Sequence, residues 1–97
     1  MIMTSLEAQV DPARQASLKQ ALEKQLLNRM PGLIEAVLTR SAEDPNRWRL
    51  MGFWESREAF ENYRRSVDVV AGLQIFRAAG AEPTFDLFDV VQRQKLA

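Results

Sequence analysis

"NRWRLMGFWES", residues 46–56, sets two tryptophans, a phenylalanine and a methionine between polar ends. As a strand its side chains alternate, with Trp48, Leu50, Gly52 and Trp54 on one face and Arg49, Met51, Phe53 and Glu55 on the other. Both faces are then partly apolar. In a chain of 97 residues the fold is decided by what covers each of them.

Outward from this run, the punctuation is regular. Ser56 is placed as a helix N-cap, Glu58 sits near the positive end of the helix dipole, and Phe60, Tyr63, Val67 and Val70 continue as a helical stripe. On the other side "SAEDPN" is a turn, and "LIEAVLTR", residues 33–40, is a strand rich in β-branched and aliphatic residues. The short link makes the two strands an antiparallel hairpin. At the N-terminus "MIMTSLEAQV" alternates, Leu6, Ala8 and Val10 opposite Ser5, Glu7 and Gln9, and reads as the first strand. Asp11 and Pro12 then open a helix whose Leu18, Ala21, Leu22, Leu26 and Met30 recur at helical spacing; Pro31 and Gly32 end it near Arg29. Beyond Gly72, "LQIFRAA" supplies a further apolar turn or two before Gly80. "TFDLFDVV", residues 84–91, is the last strand, Phe85, Leu87, Asp89 and Val91 opposing Thr84, Asp86, Phe88 and Val90, and the polar tail "QRQKLA" frays.

The order β-α-β-β-α-β predicts an α+β, ferredoxin-like fold with a four-stranded antiparallel sheet, as one domain over residues 1–97. Right-handed crossovers place both helices on one face and leave the other open. Met51, Phe53, Phe88 and Val90 give that open face more apolar area than the few hundred Å² or so a monomer tolerates. A second copy is the most economical cover, so a homodimer with sheets face to face is expected.

Composition narrows the chemistry. Thirteen basic and thirteen acidic side chains cancel, which leaves no broad positive field for nucleic acid or an anionic membrane. No apolar run approaches a membrane span or a secretion signal, and a cytoplasmic location is expected. Cysteine and histidine are both absent, which excludes disulfides, thiolate nucleophiles, His-containing triads and His-ligated metals. Glu43, Asp44, Glu58 and Glu61 read as solvated charges, and Asp86 and Asp89 point to opposite faces of their strand, with Arg40 or Arg49 as the expected cross-strand partner. Neither a metal nor a cofactor is expected.

"RWRLMGFWESREAFENYRRS", residues 47–66, resembles the strand-to-helix signature of the antibiotic biosynthesis monooxygenase family, and "MPGLIEAVLTRS", residues 30–41, is similar to its Pro-Gly-led second strand. The resemblance runs from about residue 3 to residue 91. It implies a dimeric α+β barrel in which each subunit keeps a small pocket between its helices and its own sheet. Trp54 stands at the family position that borders this pocket, and Phe60, Tyr63 and Phe76 are the other residues expected to line it, with Trp54 and Tyr63 as the catalytic donors. The implied chemistry is a cofactor-free oxidation of a small aromatic or quinol-type substrate by O₂. The alternative is a non-catalytic dimer that binds a small hydrophobic or aromatic ligand on the same scaffold. Leu50 stands where one branch has an asparagine, and the haem-degrading branch uses a histidine that this chain lacks. Trp48, near the strand's entrance, is expected at a rim or an interface.

Overall fold

The computed structural model describes residues 1–96. Strand β1 (Ile2–Gln9) leads through one 3-10 turn (Pro12–Arg14) into helix α1 (Gln15–Gln25). Strands β2 (Leu33–Arg40) and β3 (Arg47–Trp54) form the hairpin, followed by α2 (Arg57–Ser66), α3 (Ala71–Ala78) and β4 (Thr84–Asp89). The sheet is antiparallel throughout in the order β2-β3-β1-β4, the ferredoxin-like α+β arrangement expected. Among the described residues no helix is long and apolar enough to cross a membrane.

Register fixes the two faces. Thr4 pairs with Gly52 and Leu87, and Leu6 with Leu50 and Phe85, so these residues share the helix-covered face with Ile2, Trp48 and Trp54. Met3, Met51, Phe53, Val37 and Phe88 share the opposite, open face. Under the helices the core divides into two clusters. The larger joins Leu6, Val10, Leu18, Trp48, Leu50, Ile75 and Phe76; the smaller joins Ile2, Trp54 and Phe60. Full burial of a side chain such as Leu18 or Phe76 contributes about 1.5–3 kcal/mol. A β-carbon at Gly72 would lie 2.9 Å from Leu6 Cδ1, so the bare residue lets α3 sit directly on β1.

Several boundaries differ from the sequence reading. Helix α1 ends at Gln25, not near Arg29, because Leu27 faces solvent at 87% exposure and gains nothing from continuing the helix. Helix α2 stops at Ser66, whose hydroxyl donates to the Tyr63 carbonyl at 2.7 Å, and Val67 is already extended. Val70 therefore precedes a separate helix, and the described residues form three α-helices where two were expected. Strand β4 ends at Asp89 because its partner runs out; the ladder closes with the Val90 N–H on the Met1 carbonyl at 3.0 Å, and Val91 is 94% exposed. Trp48 is in the core at 5% exposure, not at a rim. Arg49 pairs with Glu7 at 3.3 Å and the Arg40 guanidinium lies over the Trp48 ring, so neither takes Asp86 or Asp89 as partner.

Candidate functional site

Alternation along β3 carries Trp54 to the helix-covered face at the strand's end. Ser56 then starts α2: its Oγ accepts from the Ala59 N–H at 3.0 Å, which fixes the helix entry angle. Three residues apart on α2, Phe60 and Tyr63 both reach Trp54. Phe60 meets its ring edge-on (centroids 5.4 Å, planes at 66°), and Tyr63 lies 5.2 Å away, tilted by 32°. Phe60 also stacks on Phe85 of β4 at 6.2 Å. One aromatic wall thus links β3, α2 and β4.

The wall faces a cavity between sheet and helices that takes residues from both core clusters, including Leu6, Leu50, Ile75, Trp54 and Phe60. The centre of a water molecule has about 70 Å³ in which to move there. Gln25, Leu26 and Met30, where α1 gives way to β2, form its outer side, and Val70, Ala71 and Gly72 bring the start of α3 to it. Among the described residues the lining contains no Asp, Glu, Lys or Arg. Its polar side chains are Thr4, Gln25, Trp54 and Tyr63, all uncharged donors in otherwise apolar surroundings. The Tyr63 oxygen accepts from the Ala71 N–H at 2.8 Å, so it caps α3 and keeps its own proton to give. Groups of three or more Asp and Glu side chains that could hold a metal are absent among the described residues.

Of the residues picked out from sequence, Trp54, Phe60 and Tyr63 come together on this cavity, and Phe76 does not. Phe76 points into the larger core cluster at 0% exposure, packed with Leu18 and Trp48, because α3 turns Ile75 rather than Phe76 toward the cavity. Thr4 and Gly52 were missed. The available signals were a threonine among apolar residues on the inward face of β1 and a glycine within a strand, which marks close approach of a ligand or another chain segment.

The model of the antibiotic biosynthesis monooxygenase family matches residues 1–81. Among solved structures, an asparagine-to-alanine variant of SnoaB, a cofactor-independent oxygenase from Streptomyces nogalater, is 18% identical, with a TM-score of 0.73 and 95% of this chain and 94% of that chain covered. A variant of MhuD with two manganese protoporphyrin IX bound per active site is 18% identical, with a TM-score of 0.73 and 98% and 99% covered. A conserved protein from Methanosarcina mazei Go1 is 18% identical, with a TM-score of 0.65 and 90% and 89% covered. At these identities the likeness to the solved structures is one of fold. No curated protein sequence matches the chain. With the family model running from the first strand through the end of α3, and the strand order described above, this chain belongs to the antibiotic biosynthesis monooxygenase family.

Proposed function

We propose that the chain is a cofactor-independent monooxygenase that oxidises a small aromatic or quinol-type substrate with O₂ in the cavity between helices and sheet. The observation that carries this reading is the wall itself: an apolar cleft whose polar groups are neutral donors, Trp54 and Tyr63 foremost, with Phe60 packed beside them. Such a site favours an electron-rich ring held as its anion, because a fixed donor in apolar surroundings stabilises charge more than fully water-exposed donors do. The anion passes one electron to O₂, the two radicals combine as a hydroperoxide, and loss of water leaves a carbonyl. One oxygen atom enters the product and the other leaves as water. The wall supplies no carboxylate, amine or imidazole to take the first proton, so the substrate must be acidic enough to lose it to water.

Oxygen uptake with a panel of quinols and anthrones tests this. Turnover above the uncatalysed rate is expected, and Trp54→Phe, which removes the N–H but keeps a ring, should lower kcat/KM by roughly 10- to 100-fold, the range for a hydrogen bond to a charged group. Uptake no faster than buffer for the whole panel removes the enzyme reading. The absence of a proton acceptor from the wall favours a second reading, a binding protein for a small hydrophobic or aromatic ligand, and binding without oxygen consumption would select it. On either reading the partner of the open sheet face is a second copy of the chain, whose Met3, Val37, Met51, Phe53 and Phe88 match the same patch by a two-fold axis.

A further inference from the structure

We infer that the connection from Leu26 to Pro31 is a strap that an aromatic ligand must displace to enter the cleft, and that a latch of side-chain amides centred on Gln74 holds it in place. The inference rests on the ligand pocket described above and names how that pocket is entered. The centre of a water molecule has about 70 Å³ in which to move there, whereas a cavity that takes up benzene measures roughly 150 Å³. One side must therefore give way. The sheet side is held by its ladders, and on the α3 side Ala71 and Ile75 are buried. The outer side is built differently: Leu26, half exposed, and Met30 line the cleft from a segment that is neither helix nor strand.

Among the described residues the backbone hydrogen bonds of this segment are all short-range. The Leu26, Leu27 and Asn28 N–H groups donate back to Leu22, Lys24 and Gln25, and the Met30 carbonyl accepts from Leu33; none bridges to α2 or α3. The far end is pinned. Gly32, at φ +92°, packs where a β-carbon would come within 2.5 Å of Ala59 Cβ, and its carbonyl accepts from the Glu55 N–H at 2.8 Å. Between the ends, three amides run in series. Asn28 Nδ2 donates to Gln25 Oε1 at 3.2 Å, Gln25 Nε2 to Gln74 Oε1 at 2.8 Å, and Gln74 Nε2 to the Val69 carbonyl at 2.7 Å. The series joins the strap to the residue before Val70, which lines the cleft with the start of α3. All three bonds are exposed, so water can replace each of them and the latch is weak. Met30 packs on the cluster of Ile2, Trp54 and Phe60. A ring that enters replaces this contact with another apolar one, so what the ligand opposes is the latch rather than the packing.

Isothermal titration calorimetry under nitrogen with 1-naphthol tests the strap separately from turnover. Gln74 does not line the cleft, yet Gln74→Met, similar in length and without the amide, should bind 1-naphthol roughly 3- to 10-fold more tightly than the wild type, because the ligand no longer has to break the latch. The chain has no cysteine of its own, so a Gln25→Cys/Gln74→Cys variant can be joined at these two positions alone by a short bis-maleimide. Cross-linking should weaken its binding of 1-naphthol roughly tenfold or more relative to the same variant before cross-linking. A Gln74→Met variant that binds no more tightly than the wild type, or a cross-linked chain that binds as well as its uncross-linked form, overturns the strap alone and leaves a ligand that overhangs a standing mouth. Failure of 1-naphthol to bind any of these proteins overturns both strap and pocket. The predicted changes in affinity without oxygen consumption in air sustain the strap and remove only the monooxygenase.

Discussion

Trp48 and Trp54 occupy one face of the same strand and meet different surroundings. Trp54 borders the cavity, whereas the Trp48 ring is packed in the larger cluster with Lys19 Nζ 5.9 Å and the Arg40 guanidinium 5.6 Å from its centroid. The Trp48 indole N–H is buried with no partner among the described residues. An unpaired buried donor costs about 1–3 kcal/mol, comparable to the ring area lost on replacing indole by phenyl. Trp48→Phe should therefore change stability by less than about 1 kcal/mol in urea unfolding, while Trp48→Ala, which opens a cavity, should cost about 3–5 kcal/mol. Asp44 gives a pH signature. Its carboxylate accepts first from Gln9 Nε2 at 2.8 Å and also from the Asn46 N–H at 3.1 Å, which holds its pKa below the ordinary aspartate value in the folded chain. A depressed folded pKa means that its contribution is present above the unfolded pKa and lost as pH falls through the folded one. The urea midpoint of the wild type should fall more steeply than that of Asp44→Asn below about pH 4.

At the scale of elements, strands were legible and helix ends were not. Residues 33–40 were read to the residue because alternation and the flanking turn chemistry are both local. The end of α2 depends on Ser66 turning its hydroxyl back on a carbonyl, and the end of α1 on Leu27 finding no surface to cover. Neither is visible in a periodic pattern. The same division runs through the site: alternation gives the face of Trp54 and helical spacing joins Phe60 to Tyr63, whereas their place on a pocket is what the family resemblance implies. The Thr4–Gly52 contact joins residues 48 apart in sequence and exists only once the strands are in register, and Phe76 was misplaced because the rotation of α3 is set by its packing. Tyr63 shows what the break between α2 and α3 contributes, since its hydroxyl closes the gap on the first N–H of α3. Tyr63→Phe should cost about 1 kcal/mol, the worth of a cap, and should speed hydrogen exchange at the start of α3 while β1 amides keep their protection. Ser56→Ala should cost a similar amount, about 1 kcal/mol in urea unfolding, through the first turn of α2.

For the molecule as a whole, the unbalanced quantity is cover. Three helices shield one face of the sheet, and the other presents Met3, Val37, Met51, Phe53 and Phe88, with Phe88 44% exposed. The chain's own tail offers a partial lid: the Arg93 guanidinium lies 5.5 Å from the Phe53 ring centroid and reaches Glu35 at 3.9 Å. One half-exposed arginine covers little, and such a surface pair is worth about 0–1 kcal/mol. A second copy covers far more, since a stable interface removes roughly 800 Å² from each partner. Light scattering at micromolar concentration should therefore give twice the 11.1 kDa of one chain. Phe53→Glu, which places a charge at the centre of the patch without touching the helix-covered core, should give a folded single chain by circular dichroism and mass. Leu27→Glu, 87% exposed on the helix layer, should leave the mass unchanged. A wild-type mass of 11.1 kDa would remove the dimer, and a Phe53→Glu variant that stays double would place its contact elsewhere; either outcome leaves the open face to the tail.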